Sequence, residues 1–497
     1  MSLKPALSPI DQNEKNSGEV SSYLNILKGF SFFGSVQIIN ILVNIVRGKF
    51  VAVLLGPFGM GVSSLFNNVS TSIQQLSSFG LSMAIVRDVA DESSGSFDKS
   101  NIISVSVLLS WSSALLGFIL TAIFSVPLSV LTFGSGEYAW QFVLLGIGIF
   151  FGIAGSGKLA ILQGLHEVKR ISKASIVGAL TGLFLGVPLY YLFHDKGIVP
   201  AIVVIFLSLY VFYSISLSKS AKYAIDYYNL KTHLPLVKKL LGLGIILMSG
   251  ELIASLVTYL INLFIRYFGT VDQVGLYQAA HTIAFQFAGI IFTTLAMDYY
   301  PRLSKVSTDN KLLCKVVNRQ SEIVSWLITP AMCLLILSTP LLIELLLAES
   351  FHEITPLMRW MGIGLFMRAY AYPMAYITFA KGNKKVFFIL EGICANLLTL
   401  TISCFCYYFF GLIGLGFAIT IDNTLCFLLY FLVNKRLYGF TFSLKAIKSY
   451  LTGTILIGTC FISSLIDTPS ISYILMSLSC VISIFWAILN IKQIYTR

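Results

Sequence analysis

Gln37, Asn40, Asn44 and Arg47 recur three, four and three residues apart within GFSFFGSVQIINILVNIVRGKFVAVLLGPFGMG, residues 29–61. At 3.6 residues per turn they share one helix face, and Lys49 follows on a neighbouring face. The stretch is otherwise apolar and, at about 1.5 Å per residue, long enough to cross a bilayer. Leaving an Arg or Lys at the bilayer centre costs about 2.5–3.5 kcal/mol on insertion scales. A polar stripe ending in a cation is therefore expected to line a water-filled, cationic cavity.

A second stripe follows. Asn67, Thr71, Gln74 and Ser78 are spaced four, three and four, with Asn68, Ser72 and Gln75 beside them. A lipid-facing helix is not built this way; the stripe reads as cavity lining, the alternative being polar contacts between helices. Further along, Glu251, Ser255, Thr258, Asn262 and Arg266 lie on one face, and Glu251 is the most centrally placed acid. Asp422 sits in the middle of an apolar run and Glu391 near the end of another; Arg368 is flanked by Tyr370, Tyr372 and Tyr376. Ionisable residues inside a membrane mark functional sites by default, with Glu251, Asp422 and Glu391 as candidates to bind a proton or sodium ion. Pairing of Glu251 with Arg368 would make both structural. His281 reads as a hydrogen-bonded core residue, or else as a proton relay.

The elements that must hold these residues are membrane helices. The chain has 497 residues, 56% hydrophobic and 11% charged, less than half the charge fraction of a soluble domain. Apolar runs long enough to span occur near 28–55, 61–85, 101–126, 138–161, 173–193, 198–217, 238–265, 273–297, 322–347, 356–380, 386–409, 412–433, 449–466 and 471–490. The fold class expected is therefore all-α and polytopic, with about fourteen transmembrane helices. Residues 1–22 are polar, without a cleavable leader, and are expected to be irregular. With the N-terminus inside, the inner segments hold 27 of the 34 Lys and Arg, and the outer loops only Lys196 and Arg266. Both termini are thus expected in the cytoplasm. That bias also accounts for the net charge of +12 without nucleic acid. The outer loops, the longest near 127–137, leave no room for an external catalytic domain.

The chain repeats itself. LLGPFGMGVSSLFNNV (54–69) is similar to RYFGTVDQVGLYQAAHTI (266–283), with Gly61 opposite Gly275, and YYLFHDKGIVPAI (190–202) to YYFFGLIGLGFAI (407–419). LQGLHEVKRISKA (162–174) likewise matches AKGNKKVFFILEG (380–392). The expected organisation is a tail at 1–27, a six-helix half at 28–217, a linker at 218–237, a second half at 238–433, and two further helices with a tail at 434–497. Residues 152–158, GIAGSGK, match a phosphate loop up to its lysine. Leu159 replaces the metal-binding hydroxyl and the stretch is apolar, so no nucleotide is expected. No HExxH, GxSxG or CxxC stands in a supporting context, and the eight cysteines form no metal-ligand pair. No cofactor, metal or catalytic residue is expected.

Two six-helix halves, a basic first helix leading into a Leu-Gly turn, and a glycine opening helix 2 resemble the multidrug/oligosaccharidyl-lipid/polysaccharide exporter superfamily, and within it the Wzx-type O-antigen flippases. The sharpest local match is RGKFVAVLLG, residues 47–56, where the related lipid II flippases carry an essential arginine at the position of Arg47. The resemblance implies a bacterial inner-membrane flippase for a short oligosaccharide joined through pyrophosphate to undecaprenol. It also implies a groove for the lipid tail on the last two helices. Guanidinium groups hold phosphate oxygens bidentately and stay charged, so Arg47 and Lys49 are expected to bind the pyrophosphate with Arg368 assisting. The glycan would occupy the cavity lined by Gln37, Asn40, Asn44, Asn67, Thr71 and Gln74. The expected partners are this lipid, the bilayer and the polysaccharide polymerase machinery, with the chain a monomer. The alternatives are a cation-coupled multidrug exporter, which the cationic first half disfavours, and a membrane polymerase or ligase, which the repeat and short outer loops disfavour.

Overall fold

In a bilayer, a single segment satisfies all its backbone hydrogen bonds internally only as a helix. Every regular element among the described residues is a helix. The structure, a computed structural model, describes residues 9–90, 99–220 and 234–495, and the side chains of residues 9–38 lie outside the described set. In chain order the helices are α1 (Pro9–Ser78), α2 (Leu81–Ala90), α3 (Lys99–Ile123), α4 (Ser125–Phe133) and α5 (Ala139–Gly164). Then come α6 (Val168–Phe193), α7 (Ile198–Ser220), α8 (Leu234–Phe268), α9 (Val271–Lys305) and α10 (Asn310–Leu346). The last are α11 (Thr355–Ala380), α12 (Lys384–Phe387), α13 (Ala395–Tyr438), α14 (Leu444–Ser463) and α15 (Pro469–Tyr495).

All fourteen expected runs are helical. Two pairs share one element each: the backbone leaves the helical region within α1 at Gly56 (φ 62°) and within α13 at Gly411 (φ 60°). The second run breaks again at Phe79–Gly80 and finishes as α2. Among the described residues, nine stretches are long and apolar enough to cross a membrane, three of them holding a turn between two crossings. Helix α11 falls outside the nine because two arginines and three tyrosines lower its hydropathy.

Two expectations are corrected. Residues 9–22 are helical, not irregular. The region near 127–137 is largely the helix α4. Its apolar residues Val126, Val130 and Leu131 are exposed, whereas Ser129 and Thr132 are fully buried. Thr132 Oγ1 meets Tyr259 Oη at 2.7 Å, and Ser129 Oγ donates to the Ser135 carbonyl at 2.6 Å. Polar residues inward and apolar residues outward suit a helix lying against lipid.

The repeat is visible in the backbone. His194 (φ 49°, ψ −129°) and Gly411 (φ 60°, ψ −145°), opposite each other in the repeated sequences, make the same sharp turn. Non-glycine residues seldom hold a positive φ, so its retention at His194 reflects the geometry required between the flanking helices.

The chain packs as two units. The first comprises residues 1–47, 73–125 and 139–248; its core includes Leu81, Ile85, Ile102, Ile161, Leu217, Leu236 and Leu240. Asp88, only 3% exposed, ion-pairs there with Lys239 at 3.0 Å. The second comprises residues 48–72, 126–138 and 249–497, around Leu65, Ile265, Val324, Ile336, Phe351 and Phe366. Helices α14 and α15 belong to this unit, and Trp326 Nε1 of α10 donates to Ser449 Oγ of α14 at 3.2 Å. Three cations serve helix C-termini in this unit. Lys49 Nζ donates to the Leu345 carbonyl of α10 at 2.6 Å, and Arg359 Nη1 to the Ser464 carbonyl after α14 at 2.8 Å. The Arg266 guanidinium packs on Gly134, just past α4. Each contact sets a positive charge on the negative end of a helix dipole, worth about 0.3–1 kcal/mol.

Candidate functional site

Within the first unit, Asn40 and Arg47 of α1 are half-buried. Arg47 makes no hydrogen bond or ion pair among the described residues. Its charge bears on Tyr190 of α6, which is 2% exposed. The backbone of Gln37 is helical, but its side chain lies outside the described residues. Asn44 is exposed, and Gln74 packs against the open Cα of Gly152 in α5. The GIAGSGK stretch is helical throughout, and Lys158 is 6% exposed. Its ammonium donates to Ser214 Oγ and stands 4.2 Å from the Tyr210 ring centre and 6.0 Å from that of Trp111. Two π faces and a hydroxyl thus solvate a buried cation that no carboxylate reaches among the described residues. Sequence reading noted Lys158 only as the end of a false phosphate loop; Trp111 and Tyr210 are remote in sequence.

In the second unit the expected groups separate. Lys49 is exposed and occupied by its helix-capping bond. Asn67 donates back to the Ser63 carbonyl one turn earlier at 2.8 Å, and Thr71 is exposed. The neighbouring Asn68 and Ser72 are the ones with buried, unpartnered polar atoms. Glu251 is exposed and unpaired among the described residues, so the alternative of a structural pairing with Arg368 is not seen there.

Arg368 has other company. Its guanidinium lies 5.5 Å from the Phe285 ring centre, and His281 stacks on Phe285 at 3.9 Å and 15°. His281 is thus half-buried against an aromatic ring. The charge of Arg368 bears on both Asp422 and Glu391. Asp422 accepts from Thr399 Oγ1 at 2.9 Å. Glu391 sits in a π-helical turn, residues 388–394, with Oε1 buried and unpartnered. Such wide turns inside helices recur at functional positions. The two carboxylates and the guanidinium close no ion pair among the described residues. Thr399 and Phe285 were not legible as members, because neither residue type announces a role.

Comparison with known proteins agrees with this architecture. The sequence profile described as polysaccharide biosynthesis protein matches residues 50–356. The lipid III flippases of Escherichia coli (strain K12) and Shigella flexneri are each 22% identical over 382 residues, covering 74% of this chain and 88% of theirs. Among solved structures, the lipid II flippase MurJ in an inward closed conformation matches with TM-score 0.69 at 16% identity, over 95% of this chain and 100% of that one. A multidrug resistance MATE family transporter, inward-facing, matches with TM-score 0.63 at 18% identity, over 86% and 96% respectively.

Proposed function

Because the chain belongs to the polysaccharide biosynthesis protein family and has the fold of the multidrug/oligosaccharidyl-lipid/polysaccharide exporter superfamily, we propose that it flips a lipid-linked oligosaccharide across its membrane. The cargo is an oligosaccharide joined through pyrophosphate to undecaprenol, carried from the cytoplasmic to the outer leaflet of a bacterial inner membrane for O-antigen or a related surface polysaccharide. Both termini face the cytoplasm, as the Lys and Arg bias requires.

The observation that carries this reading is two guanidiniums, Arg47 in one unit and Arg368 in the other, each with no ion pair among the described residues. Such charges are kept in a membrane when something anionic visits them. A pyrophosphate offers the oxygen pairs that a guanidinium fork fits. The lipid III flippase relatives support a lipid-linked cargo. Asp422 and Glu391 supply the coupling site for a proton or sodium ion, with Glu251 a more remote candidate. Alternating exposure of the cavity then moves the head group while the prenyl tail stays in lipid.

The test is a deletion strain in which undecaprenol-linked oligosaccharides and surface polysaccharide are assayed together. Accumulated lipid-linked units without surface polymer, reversed by the wild-type gene, is the expected result. Normal glycan with new sensitivity to cationic drugs would overturn it in favour of multidrug export.

A further inference from the structure

Arg368 heads a row of aromatic rings. On α11 the residues at spacings of four, four and three are Arg368, Tyr372, Tyr376 and Phe379, which at 3.6 residues per turn share one face. Helix α9 contributes Phe292 and Tyr300 to the same row. Ring centres follow one another at short range: Phe292–Tyr372 at 5.2 Å, Tyr372–Tyr376 at 5.2 Å, Tyr376–Tyr300 at 6.3 Å and Tyr300–Phe379 at 4.8 Å. The interplanar angles run from 33° to 63°, so no ring lies flat on the next; Tyr299 and Phe387 also touch Tyr376 and Phe379.

A plain core does not account for this row. Tyr372, Tyr376 and Tyr300 are only half-buried, and Phe379 is 45% exposed. Lipid does not account for it either, because the face begins with the exposed guanidinium of Arg368, which hydrocarbon would penalise. The row extends from Arg368 towards the Lys-rich turn at Lys381, Lys384 and Lys385. Along α11 the eleven steps from Arg368 to Phe379 rise about 16 Å, roughly the length of three sugar rings.

We propose that these rings form a glycan track, on which the sugars of the cargo stack while Arg368 holds a phosphate at its head. This rests on the flippase reading above. The C–H faces of pyranose rings are apolar and electropositive and match the electron-rich face of an aromatic ring, while their hydroxyls bond to Tyr oxygens. A sugar needs such platforms and a prenyl chain does not, so the track discriminates the glycan from its carrier.

The test measures binding of two probes to the full chain in nanodiscs of phosphatidylethanolamine and phosphatidylglycerol: undecaprenyl diphosphate, and the same lipid carrying chitotriose. The wild type should bind the glycosylated probe at least tenfold more tightly. Tyr376→Leu/Phe379→Leu should erase that advantage and leave the bare carrier unchanged, whereas Tyr376→Phe should keep it. Arg368→Gln should weaken both probes. Equal affinity of the wild type for both probes, or an advantage that survives in Tyr376→Leu/Phe379→Leu, would overturn the track. Failure of the wild type to bind either lipid would overturn the flippase reading itself. A shift of the bare carrier in Tyr376→Leu/Phe379→Leu would show general damage to the fold and count against a glycan-specific role.

Discussion

Gly61 and Gly275 face each other at backbone distance. A methyl group on Gly61 would overlap the Val271 carbonyl oxygen, and one on Gly275 would overlap that of Pro57 and stand 2.7 Å from Gly61 N. The two glycines are opposite each other in the repeated sequences, so the same position in each half supplies one side of a single helix crossing. Small residues are what allow membrane helices to approach so closely. Gly61→Val should therefore lower the thermal unfolding midpoint of the detergent-purified chain, overpacking of this kind costing about 1–3 kcal/mol. Gly48→Ala, whose added methyl meets nothing within 4 Å, should leave the midpoint in place. Equal midpoints for Gly61→Val and wild type would remove the crossing from the account.

Arg47 and Lys49 are two residues apart in sequence but differ in employment. Lys49 caps α10, whereas Arg47 has no polar partner among the described residues. Surface polysaccharide should fall at least tenfold in Arg47→Gln and also in Arg47→Lys, which loses the bidentate fork. Lys49→Gln should stay within about twofold of wild type, in line with a dipole contact of under 1 kcal/mol. The reverse ranking, at matched expression, would transfer the phosphate-binding role to Lys49.

Asp422 and Glu391 feel the charge of Arg368, and Glu251 is exposed. In vesicles with an imposed proton or sodium gradient, Asp422→Asn should abolish gradient-driven transport, and Glu391→Gln should weaken it. Glu251→Gln should retain most of it. Loss with Glu251→Gln alone would move the coupling site to α8.

The cage around Lys158 makes a prediction about charge sign. Lys158→Met fills the same volume without a charge, and replacing a buried ion by an apolar residue is often tolerated. Folded protein should be recovered at near wild-type yield. Lys158→Glu sets an anion against the negative faces of Tyr210 and Trp111, and monodisperse protein should fall at least tenfold on size-exclusion chromatography. Equal yields for the two variants would mean that the rings do not sense the charge.

Run length and repetition were readable because they are properties of contiguous sequence. Twenty apolar residues can only be a helix in a bilayer, and Gly61 and Gly275 could be aligned by inspection. Helix α4 was missed because its buried residues, Ser129 and Thr132, are the polar ones, the reverse of the pattern expected in water. The partners of Arg368 were missed because Phe285, Glu391 and Asp422 come from three distant segments. Only packing brings them together. Glu251 looked central by sequence, which could not reveal that Arg368 is engaged elsewhere.

The three capping cations bear on departure as well as on folding. In the proposed orientation the diphosphate is loaded from a side that holds 27 Lys and Arg, and released on a side where Lys49, Arg266 and Arg359 are already spent on helix ends. Lys196 remains there as an exposed lysine. A head group arriving at that surface meets little positive potential to detain it, so the slow step of the cycle should be the reset of the empty carrier rather than the escape of the cargo.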